Sequence, residues 1–142
     1  AIDSVNAAIG LTWFVTALDY LLLYGFIAML LIGAIYRIAP RLTRVEFPCG
    51  KSISRHFWLM FVGVILLVLP LAVAGVKQGQ ALKNPALSNV AVAKGWMMMF
   101  RITTLGDMLI LIGAVFLLFN LAGMLVSYFK TCCAGQTVEV KK

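Results

Sequence analysis

The stretch from His56 to Val76, HFWLMFVGVILLVLPLAVAGV, runs for 21 residues without one Asp, Glu, Lys or Arg. A helix of about 20 apolar residues crosses a hydrocarbon core of about 30 Å. A second such stretch lies before it, from Thr12 to Tyr36, interrupted only by Asp19. A third follows from Thr103 to Phe129, with Asp107 and Asn120 inside it. Lipid offers no partner to backbone polar groups, so each span is read as a helix. The sequence therefore predicts an all-α integral membrane protein with three transmembrane helices, over about 12–36, 56–76 and 103–129. Pro70 removes one backbone donor, and a kink is expected there.

The rest of the composition fits that frame. The 142 residues are 63% hydrophobic and only 12% charged, with a mean hydropathy of +1.01. Three spans and their loops use nearly the whole length, so 1–142 reads as a single membrane domain without a soluble one. A net charge of +7 would suggest nucleic acid in a soluble protein. Here the cations lie between apolar stretches, where they report orientation instead.

Arg37, Arg41, Arg44, Lys51 and Arg55 follow the first span, and Lys130, Lys141 and Lys142 follow the third; the other side has Lys77, Lys83, Lys94 and Arg101. The richer side belongs in the cytoplasm, which sets the N-terminus outside and the C-terminus inside. Trp13, Trp58 and Trp96 fall near the expected interfaces. Cys49, Cys132 and Cys133 then sit on the reducing side as free thiols. The adjacent pair also suits lipidation, or a soft metal together with Cys49. No cleavable signal is seen; Ala1 reads as a processed end or as the start of a piece of a longer gene product.

The one long connection holds Asn84-Pro85, a turn signal, and residues 90–100, an interfacial helix whose Trp96 and Met97 to Met99 touch headgroups. Copper(I) ligation by those methionines is the less economical reading.

No phosphate loop, glycine fingerprint or nucleophile elbow is present, which excludes the common hydrolase, kinase and dehydrogenase chemistries. A lone histidine, His56, supplies neither a metal cage nor paired haem ligands, and is expected at the interface, bonded to loop backbone. Ionisable groups at membrane depth are costly and usually paired. Asp19, Arg101, Asp107 and Lys77 all fall in the outer third, so Asp19 is expected to lock onto Arg101 or Lys77. A proton-carrying role for Asp19 or Asp107 lacks polar residues to continue it. Gly75-x-x-x-Gly79 gives a face for close helix approach, and Gly25, Gly33, Ala74, Gly113, Ala114 and Gly123 extend such faces to all three spans.

Several blocks resemble a known family. Ser4-Val5-Asn6-Ala7, Gly25-Phe26-x-Ala28-Met29, Gly33-Ala34-x-Tyr36 and Pro40-Arg41-Leu42 are similar to the tenth helix of the catalytic subunit of cbb3-type (C-family) haem-copper oxidases. His56-Phe57-Trp58-Leu59, Gly63 and Ala74-Gly75-Val76-x-Gln78-Gly79 resemble its eleventh helix. Leu105-Gly106, Gly113-Ala114 and Phe119-Asn120 resemble its twelfth. The likeness extends to about Lys130, and the family's topology agrees with the orientation read from charge.

The resemblance also carries a departure. The family's tenth helix has a His-x-His-Ser-Gly element whose histidines bind both haem irons; here Leu18 and Tyr20 stand there, with Asp19 between them. The resemblance thus implies a degenerate relative of the last three helices, with no cofactor in this chain and with haem and copper in partner subunits. Asp19, Arg101 and Asp107 lie where the family's haems approach, as if charge had replaced cofactor.

The expected function is that of a non-catalytic accessory subunit of a bacterial inner-membrane respiratory complex, of haem-copper oxidase or nitric oxide reductase type. Its partners would be other membrane subunits, lipid and an extracytoplasmic cytochrome, with no nucleic acid. The alternative is a fragment of a split catalytic subunit, with Tyr20 or His56 behind the cofactor ligands. A small transporter would need a polar stripe along one helix, and none is seen.

Overall fold

The computed structural model describes residues 10, 12–47, 49–81 and 94–133. It has three helices long and apolar enough to cross a membrane: α1 (Trp13–Thr43), α2 (Gly50–Ala81) and α3 (Met97–Cys133). Each outruns the stretch expected from hydropathy, because flanking polar residues continue the helical hydrogen bonding beyond the apolar window. The expected turn at Asn84-Pro85, and residues 90–93 of the expected interfacial helix, lie outside the described residues. Met97 to Phe100 form the first turn of α3 rather than part of a separate helix.

α1 starts where Thr12, in an extended conformation, accepts a bond from the Phe14 N–H at 3.3 Å, which meets one of the free donors of a helix start. It stops at Arg44, whose φ of 55° is left-handed. Between these ends the helix changes winding: Leu21–Ala28 is π-helical, flanked by α-helix on both sides. Such wide turns are rare. Nothing in the apolar run LLLYGFIA announces it. Pro70 sits within α2, which continues through it as one helix.

The chain runs up, down and up, with α2 in the middle. α3 lies along α2, and the first turns of α1 also pack on α2. At one end Trp13 of α1 donates its backbone N–H to Gln78 Oε1 of α2 at 3.2 Å and meets Phe100 of α3 edge-on, ring centres 5.1 Å apart. Ala17, Val64, Val68 and Leu71 form the buried centre, with Tyr20, Tyr24, Phe100 and Ile110 closed over it.

Backbones meet at two places. A Cβ on Gly75 would collide with the backbone nitrogen of Phe14, so α1 and α2 touch main chain to main chain there. A Cβ on Gly106 would stand 2.8 Å from the Gly63 carbonyl oxygen, which marks the α2–α3 crossing. Lipid supplies no hydrophobic force between helices, so this close van der Waals packing is what holds them. Gly33, expected on such a face, lies in open space: a Cβ there would meet nothing within 4 Å. α1 has left α2 by that level.

The outward faces are strongly apolar: Phe26, Leu30, Leu118 and Phe119 are all exposed, Phe119 by 70%. An apolar belt of that extent belongs in lipid. Hydroxyl groups satisfy themselves within the helices, as where Ser127 donates to Gly123 O at 3.0 Å and Thr131 to Ser127 O at 2.9 Å.

Candidate functional site

The deepest polar group in the bundle is His56. It starts the apolar run of α2 and is 2% exposed, where the sequence pattern alone puts it at the interface on loop backbone. It is instead bonded to a side chain: Tyr36 Oη lies 3.2 Å from His56 Nδ1, and Asn120 Nδ2 donates to that same hydroxyl oxygen at 3.1 Å. Tyr36 comes from α1, His56 from α2 and Asn120 from α3, so one hydroxyl joins all three helices. Since Asn120 donates to the oxygen, the Tyr36 proton is free to point at Nδ1.

His56 Nε2 is buried and lacks a hydrogen-bond partner among the described residues. The ring edge faces Gly113 of α3, where a Cβ would stand 3.6 Å from His56 Cδ2 and 3.1 Å from Met60 Cγ. The small residue at 113 is thus what makes room for the imidazole. Tyr36 also meets Phe47 edge-on at 5.1 Å, which closes the cluster toward the α1–α2 loop.

The sequence names these three residues without bringing them together. Tyr36 enters it as the end of the first span, Asn120 as a polar residue inside the third, and His56 as a lone histidine. The available signal is depth: one polar side chain near the same end of each apolar span.

The outer-third charges are placed differently. Asp19, Lys77, Arg101 and Asp107 are all exposed. Among the described residues no ion pair joins Asp19 to Arg101 or to Lys77; Lys77 Nζ lies instead over the Trp96 ring, 5.1 Å from its centre. Asp19 turns away from the bundle because its neighbours Ala17 and Tyr20 are the ones that face the core. Gly75 is at the α1–α2 contact, and Gly79 is buried one turn further along α2.

Fit to a haem iron can be judged at Leu18 and Tyr20. Leu18 has no donor atom and is 48% exposed. Tyr20 packs over the core and beside the Tyr24 ring, centres 5.9 Å apart. Within the π-helical turns Leu21–Ala28 the one side chain with an oxygen donor is Tyr24, and it packs against the core beside Tyr20. No group of three or more His, Cys, Asp or Glu side chains that would hold a metal occurs among the described residues. These residues do not fit the iron ligation of the oxidase resemblance. Cys49, Cys132 and Cys133 are exposed free thiols.

Three apolar helices held by main-chain contacts and a buried polar knot define a multi-pass membrane protein. Residues 1–109 match the model of the family Cytochrome C and Quinol oxidase polypeptide I, and the chain belongs to that family. It is 29% identical over 122 residues to a cytochrome c oxidase subunit 1 homolog of Azorhizobium caulinodans, covering 81% of this chain and 21% of that protein. It is 36% identical over 56 residues to the cbb3-type cytochrome c oxidase subunit CcoN1 of Stutzerimonas stutzeri, covering 39% of this chain and 12% of that one. The chain thus spans about a fifth or less of the length of these relatives. No solved structure matches it significantly.

Proposed function

We propose that this chain is a non-catalytic, helix-packing component of a haem-copper oxidase-type assembly in a bacterial cytoplasmic membrane. It stabilises the catalytic subunit or bridges it to a neighbour. The observation that carries this reading is the pair Leu18 and Tyr20. The family match runs through them, yet one has no ligating atom and the other is committed to core packing. The charge count supports an orientation with the N-terminus outside and the basic loop and tail inside. Haem and copper belong to partner subunits in this reading, and an extracytoplasmic cytochrome is a further partner.

Purification through a tag on this chain in mild detergent tests it. Haem-bearing membrane subunits should co-migrate, while the chain freed of them should show no Soret absorbance. A haem spectrum from the chain alone would overturn it.

The buried, unpartnered Nε2 of His56 favours a second reading, in which the chain completes a split catalytic subunit and His56 or Tyr20 supports the cofactor ligands. In that case His56→Leu would shift the haem spectrum of the assembled complex. In the packing role it would leave the spectrum in place and weaken assembly alone.

A further inference from the structure

Below the π-helical turns, α1 and α2 part and leave a cavity of about 550 Å³ between them. Its walls are Met29, Ile32 and Gly33 from α1 and Ile53 and Phe57 from α2, with Tyr36 and His56 also lining it. Toward the bundle centre the helices meet again at Gly25, where a Cβ would lie 3.3 Å from Val64 Cγ1. Across it the Tyr36–His56 bond ties them together. Met29 and Tyr36 are separated by about 10 Å of helix.

That length decides what can enter. A transmembrane helix needs about 30 Å of groove, and this wedge gives a third of it. A flexible hydrocarbon chain needs only an apolar slot. The wedge ends at the α1–α2 loop, bracketed by Tyr36 and Gly50. Arg37, Arg41 and Arg44 lie between those two residues and Lys51 follows, all exposed. Glu46 is the one acid among residues 37–51, and none of the four cations is in an ion pair among the described residues. Arg55 is left out of the set because its guanidinium lies toward α3, 6.0 Å from the Phe116 ring centre.

We infer that this wedge is a site for an anionic glycerophospholipid: one acyl chain lies between α1 and α2 against Gly33, and the phosphate headgroup is met by Arg37, Arg41, Arg44 and Lys51. Each cation near an anionic headgroup contributes about 1 kcal/mol. The apolar slot selects a lipid over free phosphate. The four positive charges select an anionic lipid over phosphatidylcholine. This site is independent of whether the assembly is an oxidase.

The test is native mass spectrometry of the tagged chain with its assembly, delipidated in mild detergent and titrated with phosphatidylglycerol or phosphatidylcholine. The wild type should hold one more phosphatidylglycerol per chain than Gly33→Phe, which fills the slot at a position with open space. Arg41→Gln and Lys51→Gln, both on the surface, should each lower the preference for phosphatidylglycerol by about fivefold. Inorganic phosphate should not compete. Equal retention of the two lipids, unchanged binding in Gly33→Phe, or a Gly33→Cys crosslink to another polypeptide would each overturn the assignment.

Discussion

Tyr36 and His56 meet at 3.2 Å between Oη and Nδ1, and that contact is where α1 is tied back to α2 after the two helices have separated. Asn120 reaches the same hydroxyl from α3. Removing the hydroxyl therefore breaks two bonds and strands two buried groups, His56 Nδ1 and Asn120 Nδ2. Tyr36→Phe should cost about 1 to 2 kcal/mol, toward the upper end for interhelical bonds in membranes. The midpoint of unfolding in sodium dodecyl sulfate, followed by circular dichroism, measures it. An unchanged midpoint would show that the knot contributes nothing.

The α1–α2 contact at Gly75 makes a sharper prediction. A methyl group there must displace the main chain of Phe14, which no side-chain rotation can relieve. Gly75→Ala should destabilise by about 1 to 3 kcal/mol, the usual cost of overpacking. Gly33→Ala adds the same methyl in open space, and helix propensity should make it stabilising by roughly 0.5 to 1 kcal/mol. Opposite signs from one chemical change, read in the same unfolding assay, are the expected result.

These two glycines show how far the sequence can be read. Hydropathy locates three helices, since lipid leaves an apolar run no other backbone structure. Gly75 can be assigned a packing role from its spacing to Gly79. Gly33 has the same small-residue signature and packs on nothing, because whether two helices still touch at a given level depends on where they diverge. Divergence follows the π-helical turns of Leu21–Ala28, and no residue type there encodes them. Similarly, Asp19 is legible as an ionisable group at depth. Which way it faces is set by Ala17 and Tyr20 taking the core side. His56 is visible as a single histidine; its partner Tyr36 lies 20 positions away in sequence, and the Asn120 that holds Tyr36 lies 84 positions from it, beyond the reach of local pattern.

Asp19 stands about 9 Å into α1 from Trp13, exposed and without an ion pair among the described residues. A carboxylate facing lipid costs roughly 2.5 to 3.5 kcal/mol, so in the assembly it should meet a cation or donor from another subunit. Asp19→Leu should then stabilise the isolated chain in detergent and reduce recovery of the complex. Asp19→Asn, which keeps hydrogen bonding and loses charge, should fall between them. A fully assembled complex with Asp19→Leu would remove the interface role.

The thiols report which end of the bundle faces the cytoplasm. Cys49 precedes α2 and Cys132 and Cys133 close α3, so the up-down-up path sets all three at one end, all exposed. Gly95, ahead of α3, belongs to the opposite end and has open space around it. In the orientation proposed from the Lys and Arg excess beside them, the three cysteines lie inside. A membrane-impermeant maleimide added to intact spheroplasts should therefore leave the native protein unlabelled until the membrane is permeabilised. In a variant with the native cysteines replaced by serine, Gly95→Cys should label at once. The reverse pattern would invert the bundle, and with it the leaflet from which a lipid could enter beside Gly33.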